Sequence, residues 1–364
     1  MKTVYIKAQN CTEGMILSED LYSDNGVHLI SKGTVITELL EKRIKRFRLK
    51  PIRVEIYDDV VVEELTDYEN NTKKREMDER LTAAYTVAMV EVKEVLDNIY
   101  SGKDLGNKDI IKAVETVKST VKDSFDVLKC LDSIKDADEY TYAHCVNVSI
   151  LSMTIAKWLG LPENQVDEIA KAGLIHDIGK TKISQDILNK QGALNSYEYG
   201  EVKKHPTYSY RLIENMDGMT KDIKMAVLMH HERVDGTGYP TGAQGDQIHK
   251  YAKILAIADV YDAMTSNKAY RQKKSVFIAL KELQNTMYNK LDRVILNKFI
   301  ERMISHYIGD YVVLSTGETG QLVHINPRDL LRPIVNVDTV YLDLSLESDI
   351  ELEDLLWDYS KYTV

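Results

Sequence analysis

Nine histidines stand in this 364-residue chain, and five of them, His144, His176, His205, His230 and His231, fall close together in its middle third. A neutral imidazole is a good nitrogen ligand near pH 7, so such a concentration beside carboxylates points to a metal centre. His176 and Asp177 are adjacent. One nitrogen and one anionic oxygen form a mixed donor set that suits Fe, Mn or Zn better than Ca or Mg. His230-His231 is a second adjacent pair, followed by Glu232 and the tight stretch Asp235-Gly236-Thr237-Gly238-Tyr239-Pro240. Burying several protonatable rings together costs free energy unless metal or hydrogen bonds compensate. Asp259 adds a carboxylate inside the apolar run of Ile254, Ile257, Ala258 and Tyr261.

Helices must bring these groups together. His144 shares a helical stripe with Val148, Leu151, Ile155 and Leu159, which points its ring towards a core. The next helix starts at Pro162 after Gly160 and turns Val166, Ile169, Ala170 and Leu174 inward. Its expected end is Gly179, acting as a C-terminal glycine cap, with His176-Asp177 in the last turn. His230 and His231 close a further helix in register with Ile223 and Val227.

Around this helical segment the chain divides into five parts. Residues 1–60 form a small β-rich domain, with strand-like runs near 4–6, 27–30 and 52–56 and a helix carrying Ile36, Leu40, Ile44 and Phe47 inward. The helix also bears Lys42, Arg43, Lys45, Arg46 and Arg48. With the one aromatic among them, Phe47, on the inward stripe and so not offered for base stacking, they read as a solvated face. Residues 61–75 are acidic and polar, a linker. Residues 76–136 form a long helical hairpin connector. One stripe is Met77, Leu81, Ala84, Ala88, Val92, Val95 and Ile99; the other is Ile110, Val114, Val117, Val121, Phe125 and Leu128, with Gly102 and Gly106 at the turn. These stripes pack within the chain or form the seam of a homodimer. Residues 137–306 make the catalytic helical domain, and residues 307–364 a second small β-rich domain with a hairpin across Gly317-Glu318-Thr319-Gly320. The fold class is mainly α, with β-rich flanking segments.

Composition excludes several function classes. A formal net charge of −10 disfavours binding to nucleic acid polymers or anionic membranes, while a local cationic centre can still hold a phosphate. Cys11, Cys130 and Cys145 are an odd number without metal-type pairing, which fits a reducing compartment. No stretch approaches the ~20 apolar residues of a membrane span. The start lacks the apolar core of a signal peptide, so a cytoplasmic location is expected.

From about residue 137 to 284 the chain resembles the HD-GYP family, a branch of the HD-domain metal-dependent phosphohydrolases. The matched residues are Tyr140-Thr141-Tyr142 with His144 and Asn147-Val148, then His176-Asp177-Ile178-Gly179-Lys180, Ile187-Leu188-Asn189-Lys190 and His205-Pro206. His230-His231-Glu232 with Asp235-Gly236-Thr237-Gly238-Tyr239-Pro240 follows, and last Ile257-Ala258-Asp259-Val260-Tyr261-Asp262-Ala263-Met264-Thr265. They occur in family order, and the series is far more specific than a lone His-Asp dipeptide.

The resemblance implies an HD-type helical bundle with a site for two divalent transition metal ions, Fe or Mn first and Zn or others after them. His144, His176, Asp177 and Asp259 would hold one ion, and His205, His230 and His231 the other, with Asp177 bridging. Two ions about 3.5 to 4 Å apart ionise water near neutral pH and neutralise charge developing on a phosphoryl group. The family substrate is cyclic di-GMP, opened by a metal-activated hydroxide to linear pGpG, with onward cleavage to GMP left open. Lys180, one turn beyond Asp177, would pair with phosphate. Tyr239 would line the pocket, and Lys268 and Arg271 would meet a guanine or the second phosphate.

This chain departs from the family at three places. Tyr140 stands where some relatives carry a Glu that binds a third metal, Gln191 where Pro is usual, and Lys268 where Arg is usual. Lys268 keeps the charge and loses the planar fork. The expected function is a signalling cyclic di-GMP phosphodiesterase whose flanking domains meet regulatory partners. The alternatives are a cyclic di-GMP receptor or scaffold with little turnover, and a phosphodiesterase for another cyclic dinucleotide.

Overall fold

The computed structural model describes residues 2–6, 11–22, 28–37, 40–41, 44, 52–56, 83–98, 107–120, 140–266, 274–337 and 340–356. They belong to two compact units, one drawn from residues 80–303 and the other from 1–79 and 304–364. Outside the described residues lie Phe47 and the basic run from Lys42 to Arg48, the 61–75 linker, Gly102 and Gly106, and Cys130. Met77, Leu81, Ile99, Val121, Phe125 and Leu128 of the connector stripes also lie outside them, as do Lys268 and Arg271.

The 80–303 unit is helical. Its elements are α1 (83–98), α2 (Asn107–Thr120), α3 (Tyr140–Trp158), α4 (Glu163–Ile175), a 3₁₀ turn (Ile178–Lys182), α5 (Gln185–Leu188), α6 (Ser196–Val202), α7 (His205–Ile213), α8 (Lys221–Met229), α9 (Lys250–Thr265), α10 (Val276–Thr286) and all but the last three residues of α11 (Arg293–His306). At the centre α3 packs on α9 and α4, and α8 packs on α4, α7 and α9. Every residue of α3 from His144 to Ala156 is buried, so the expected stripe widens to the whole circumference. A helix with no polar face must be enclosed, and its polar side chains need partners inside. Ser149 Oγ accordingly donates to the Ala170 carbonyl of α4 at 2.8 Å.

The expected end of α4 is corrected. The helix stops at Ile175, and Asp177 leaves helical geometry at φ −100°, ψ 1° to start the 3₁₀ turn. Gly179 is therefore no left-handed cap. Its missing side chain serves close approach: a Cβ there would collide with the His205 carbonyl and the Ser209 amide nitrogen at the start of α7. The Gly179 N–H donates to Ser209 Oγ at 2.8 Å, tying the turn to that helix. On α1 the inward face carries Tyr85, Ala88, Val92, Val95 and Leu96, so Tyr85 takes the place expected of Ala84. On α2, Ile110, Val114 and Val117 are buried as expected.

The other unit is β-rich. β1 (Lys2–Ile6), β5 (Ile52–Ile56) and β2 (Ile16–Leu17) make an antiparallel three-stranded sheet in the order β1-β5-β2, and β3 (Leu21–Tyr22) pairs with β4 (His28–Ile30). Ile6, Leu17, Ile36, Ile44, Ile52 and Val54 form one buried cluster. The C-terminal segment builds an antiparallel sheet from β6 (Tyr311–Leu314), β7 (Thr319–Asn326), β8 (Asp329–Val337), β9 (Val340–Asp343) and β10 (Leu352–Leu355), in the order β10-β6-β7-β8-β9. The expected hairpin is β6–β7. Among the described residues no helix is long and apolar enough to cross a membrane.

Candidate metal centre

Seven side chains from five places in the fold meet at one point. His144 comes from α3, His176 and Asp177 from the junction of α4 with the 3₁₀ turn, and His205 from the first position of α7. His230 and His231 follow α8, and Asp259 lies on α9. All are buried except His231, which is partly exposed. Their donor atoms form two groups, His144–His176–Asp259 and Asp177–His205–His230–His231, and within each group all donors lie within 4.8 Å of one another.

Asp177 faces both groups. Its Oδ2 is 3.5 Å from His144 Nε2 and 3.4 Å from His176 Nε2, while its Oδ1 is 3.1 Å from His205 Nε2 and 4.0 Å from His230 Nε2. One oxygen towards each group is the arrangement a bridging carboxylate requires. Asp259 closes the other side, with Oδ1 3.2 Å from His144 Nε2 and Oδ2 3.7 Å from His231 Nδ1.

The opposite ring nitrogens fix the tautomers. Nδ1 of His176, His205 and His230 each lies 2.7 Å from a backbone carbonyl three residues earlier, of Gly173, Val202 and Val227. A carbonyl only accepts, so each Nδ1 carries a proton, which leaves Nε2 as the nitrogen that each ring turns to the centre as a ligand atom. His144 Nδ1 faces Asp262 Oδ2 at 2.7 Å, a carboxylate–histidine pair of the kind that orients metal ligands.

A pair of transition ions fits this donor set. His176 Nε2 and Asp177 Oδ1 are buried without a hydrogen-bond partner, the 3.1 Å approach of His205 to Asp177 lacking the alignment of one. His205 Nε2 and His230 Nε2 face each other at 3.3 Å. Two ring nitrogens turned to one another beside an unpartnered nitrogen and oxygen, all buried, make a donor set that a cation between them would satisfy.

The electrostatics agree with a cation site. Burial, followed by the surrounding imidazoles, holds His230 well below the usual histidine range. Burial also leads in lowering His231 well below it. Burial opposes ionisation of Asp177, but Lys180 and the His176 and His205 rings outweigh it and keep this carboxyl well below the ordinary carboxylate range. Asp259 is lowered in the same way against burial, by His144 and His231. His144 goes the other way. Burial works against its charged form, yet Asp259 and Asp262 raise its pKa to about 9.

Lys180 and Tyr239 border the cluster. The Lys180 ammonium is paired with Asp177 Oδ2 and its side chain is one-third exposed. The Tyr239 ring lies over His231 at a centroid distance of 4.7 Å and an interplanar angle of 32°, and Lys203 Nζ is 5.6 Å from its centre. The loop carrying Tyr239 is anchored by Glu232. Glu232 Oε1 accepts from the N–H and hydroxyl of Thr241, both at 2.7 Å, and its Oε2 accepts from the Ala243 N–H at 3.1 Å. A Cβ on Gly238 would strike the backbone of Glu232 and Arg233, so the loop lies flat against its anchor only with glycine there.

Asp262 and Glu232 stand within the matched motifs and do structural work there, one behind His144 and one beneath the Tyr239 loop. The available signal for Asp262 was its spacing, three residues after Asp259 on one helix face. The partners of Glu232 lie nine and eleven residues away across an irregular loop, a pattern no periodicity reveals.

Comparison with known proteins finds similarity over the helical segment that carries these residues. Residues 129–295 match the HD domain family. The cyclic di-GMP phosphodiesterase PA4108 of Pseudomonas aeruginosa is 35% identical over 62% of this chain and 54% of its own length. The 3′3′-cGAMP-specific phosphodiesterase 1 of Vibrio cholerae is 33% identical over 56% of this chain and 46% of its own. The chain thus spans about half the length of these relatives. In three dimensions it resembles Bd1817, an HDG"Y"P protein from Bdellovibrio bacteriovorus, with a TM-score of 0.50 over 82% of this chain and 98% of that one. At 17% identity that likeness is one of fold.

Proposed function

We propose that the protein is a metal-dependent phosphodiesterase that opens cyclic di-GMP to linear pGpG, a reading supported by the match of residues 129–295 to the HD domain family. The observation that carries this reading is Asp177, whose two oxygens face two separate groups of buried nitrogen and oxygen donors. His144, His176, Asp177 and Asp259 would hold one divalent ion, and His205, His230 and His231, with Asp177, the second. Such a pair, when bound, supplies Lewis acidity for phosphodiester hydrolysis and lowers the pKa of water.

The remaining work belongs to the chain's own side chains. Lys180 keeps a cation beside Asp177 and offers it to a phosphate oxygen of the substrate, orienting the scissile group and offsetting charge that grows there. Tyr239, seated on His231, presents an aromatic face at the edge of the cluster, suited to stacking against a purine. Lys268 and Arg271 are proposed as contacts to a guanine or the second phosphate. A connector dimer and regulatory partners for the flanking unit belong to the same proposal.

A second reading is supported by the 33% identity to a phosphodiesterase named for 3′3′-cGAMP: the same chemistry on another cyclic dinucleotide. One experiment addresses both. Protein purified anaerobically and loaded with Mn(II) or Fe(II) is incubated with cyclic di-GMP and, separately, with 3′3′-cGAMP, and the products are separated by chromatography. Faster formation of linear pGpG is the expected result. Preferential opening of 3′3′-cGAMP selects the second reading, and binding without turnover of either replaces both with a receptor.

A further inference from the structure

The hydrogen bonds behind His144 continue out of the cluster into α1. His144 Nδ1 lies 2.7 Å from Asp262 Oδ2, and Asn147 Nδ2 donates to Asp262 Oδ1 at 2.8 Å. The Tyr85 hydroxyl donates to Asn147 Oδ1 at 2.8 Å. All four residues are buried, with Tyr85 5%, Asn147 2%, Asp262 0% and His144 4% exposed. The direction of the chain is fixed without reference to hydrogen positions. A carboxylate only accepts, so the Asn147 amide nitrogen must face Asp262, its oxygen must face Tyr85, and the phenol must donate. Ser266 Oγ also donates to Asp262 Oδ1 at 3.0 Å. Tyr85 precedes the matched family region, so it is supplied by the connector and not by the HD domain itself.

We propose that Tyr85 is a positioning residue for the metal ligand His144, acting through Asn147 and Asp262. The inference rests on the metal-centre reading above. Asp262 sets the proton and the ring plane of His144; Asn147 holds one oxygen of Asp262; Tyr85 holds the amide of Asn147 in the only orientation that lets it donate. The connector helix thereby has a direct hold on one of the two donor groups, His144–His176–Asp259.

The test uses the full chain, with Mn(II) affinity measured by competition against a chelator and stability of the metal-free protein measured by thermal unfolding. Tyr85→Phe keeps the ring and its packing. It is expected to weaken one of the two Mn(II) sites about tenfold, the lower end of what outer-shell partners contribute, and to leave the other unchanged. Asn147→Ala should weaken the same site. In the Asn147→Ala background, Tyr85→Phe should have no further effect on affinity, since its route to His144 is already cut. A Tyr85→Phe protein that unfolds at lower temperature yet binds both ions with wild-type affinity overturns the proposal and leaves Tyr85 a packing residue. Additive losses of affinity in the double variant overturn it too. A wild-type chain that takes up no Mn(II), Fe(II) or Zn(II) fails at the prior step and removes the metal-centre reading itself.

Discussion

At Lys180 a cation is held against the carboxylate whose two oxygens face the two donor groups, yet it donates no electron pair to a metal while protonated. Losing it should separate binding of metal from use of metal. Lys180→Ala is expected to retain its ions and lose ~10²-fold or more in kcat, as removal of one preorganised charge contact typically does. Wild-type turnover would return Lys180 to an ordinary helix-end charge. His144 gives a prediction of opposite kind. In the metal-free protein, its pKa of about 9 leaves the ring protonated at neutral pH, with Nε2 carrying the proton that an ion must displace. His230 and His231 are lowered and already neutral there. Affinity for the ion using His144 should therefore rise about tenfold per pH unit up to about pH 9 and level off above it, with proton release on binding in weak buffer. A flat affinity between about pH 6 and 9 would contradict this. All seven ligand candidates were legible as residue types, because buried His and Asp are costly without a purpose. The residues behind them were less so: Asp262 meets His144 across 118 positions, and Tyr85 meets Asn147 across 62.

At the scale of elements, the site depends on how one helix ends. Sequence periodicity carries α4 correctly through Leu174, then misreads Gly179 as a cap, because a glycine after an apolar stripe looks the same whether it relieves a left-handed backbone or a close contact. The structure uses it for contact, which sets the 3₁₀ turn carrying Asp177 against the helix that begins with His205. Gly179→Ala should therefore do two things at once. Its Cβ would meet backbone atoms that cannot rotate away, costing about 1–3 kcal/mol or more in unfolding free energy. It would also push His205 from Asp177 and lower metal affinity. Denaturant unfolding with and without Mn(II) checks both, and a variant with wild-type stability and affinity would show that the turn and α7 can separate freely. The two innermost helices, α3 and α9, were legible as helices but not as enclosed ones, since Asn147, Ser149 and Ser152 in α3 and Asp259 and Asp262 in α9 look in sequence like parts of a solvated face and are in fact buried.

At the scale of the molecule, every ligand candidate and its supporting hydrogen bonds lie within the 80–303 unit. The flanking β segments read in sequence as two separate pieces, while the fold groups them in one compact unit, a pairing between distant ends that no local pattern carries. A chain starting near Thr72 retains Tyr85, α1 and all seven ligands, so it is expected to bind metal and hydrolyse cyclic dinucleotide at close to the full-length rate. A soluble, folded, metal-loaded truncation without activity would place a necessary group in the first 71 residues. The count of ions tests the whole account most directly. By the family resemblance Tyr140 takes the position of the Glu that binds a third metal in some relatives, and a phenol, whose free pKa is near 10, is a poor substitute for a carboxylate at neutral pH. Elemental analysis of protein prepared without chelator, scored against chain concentration, should give two transition-metal ions per chain for the wild type and far fewer for Asp177→Ala. Three ions per chain at full occupancy, or two retained after loss of the Asp177 carboxylate, would contradict a dinuclear centre bridged by that residue.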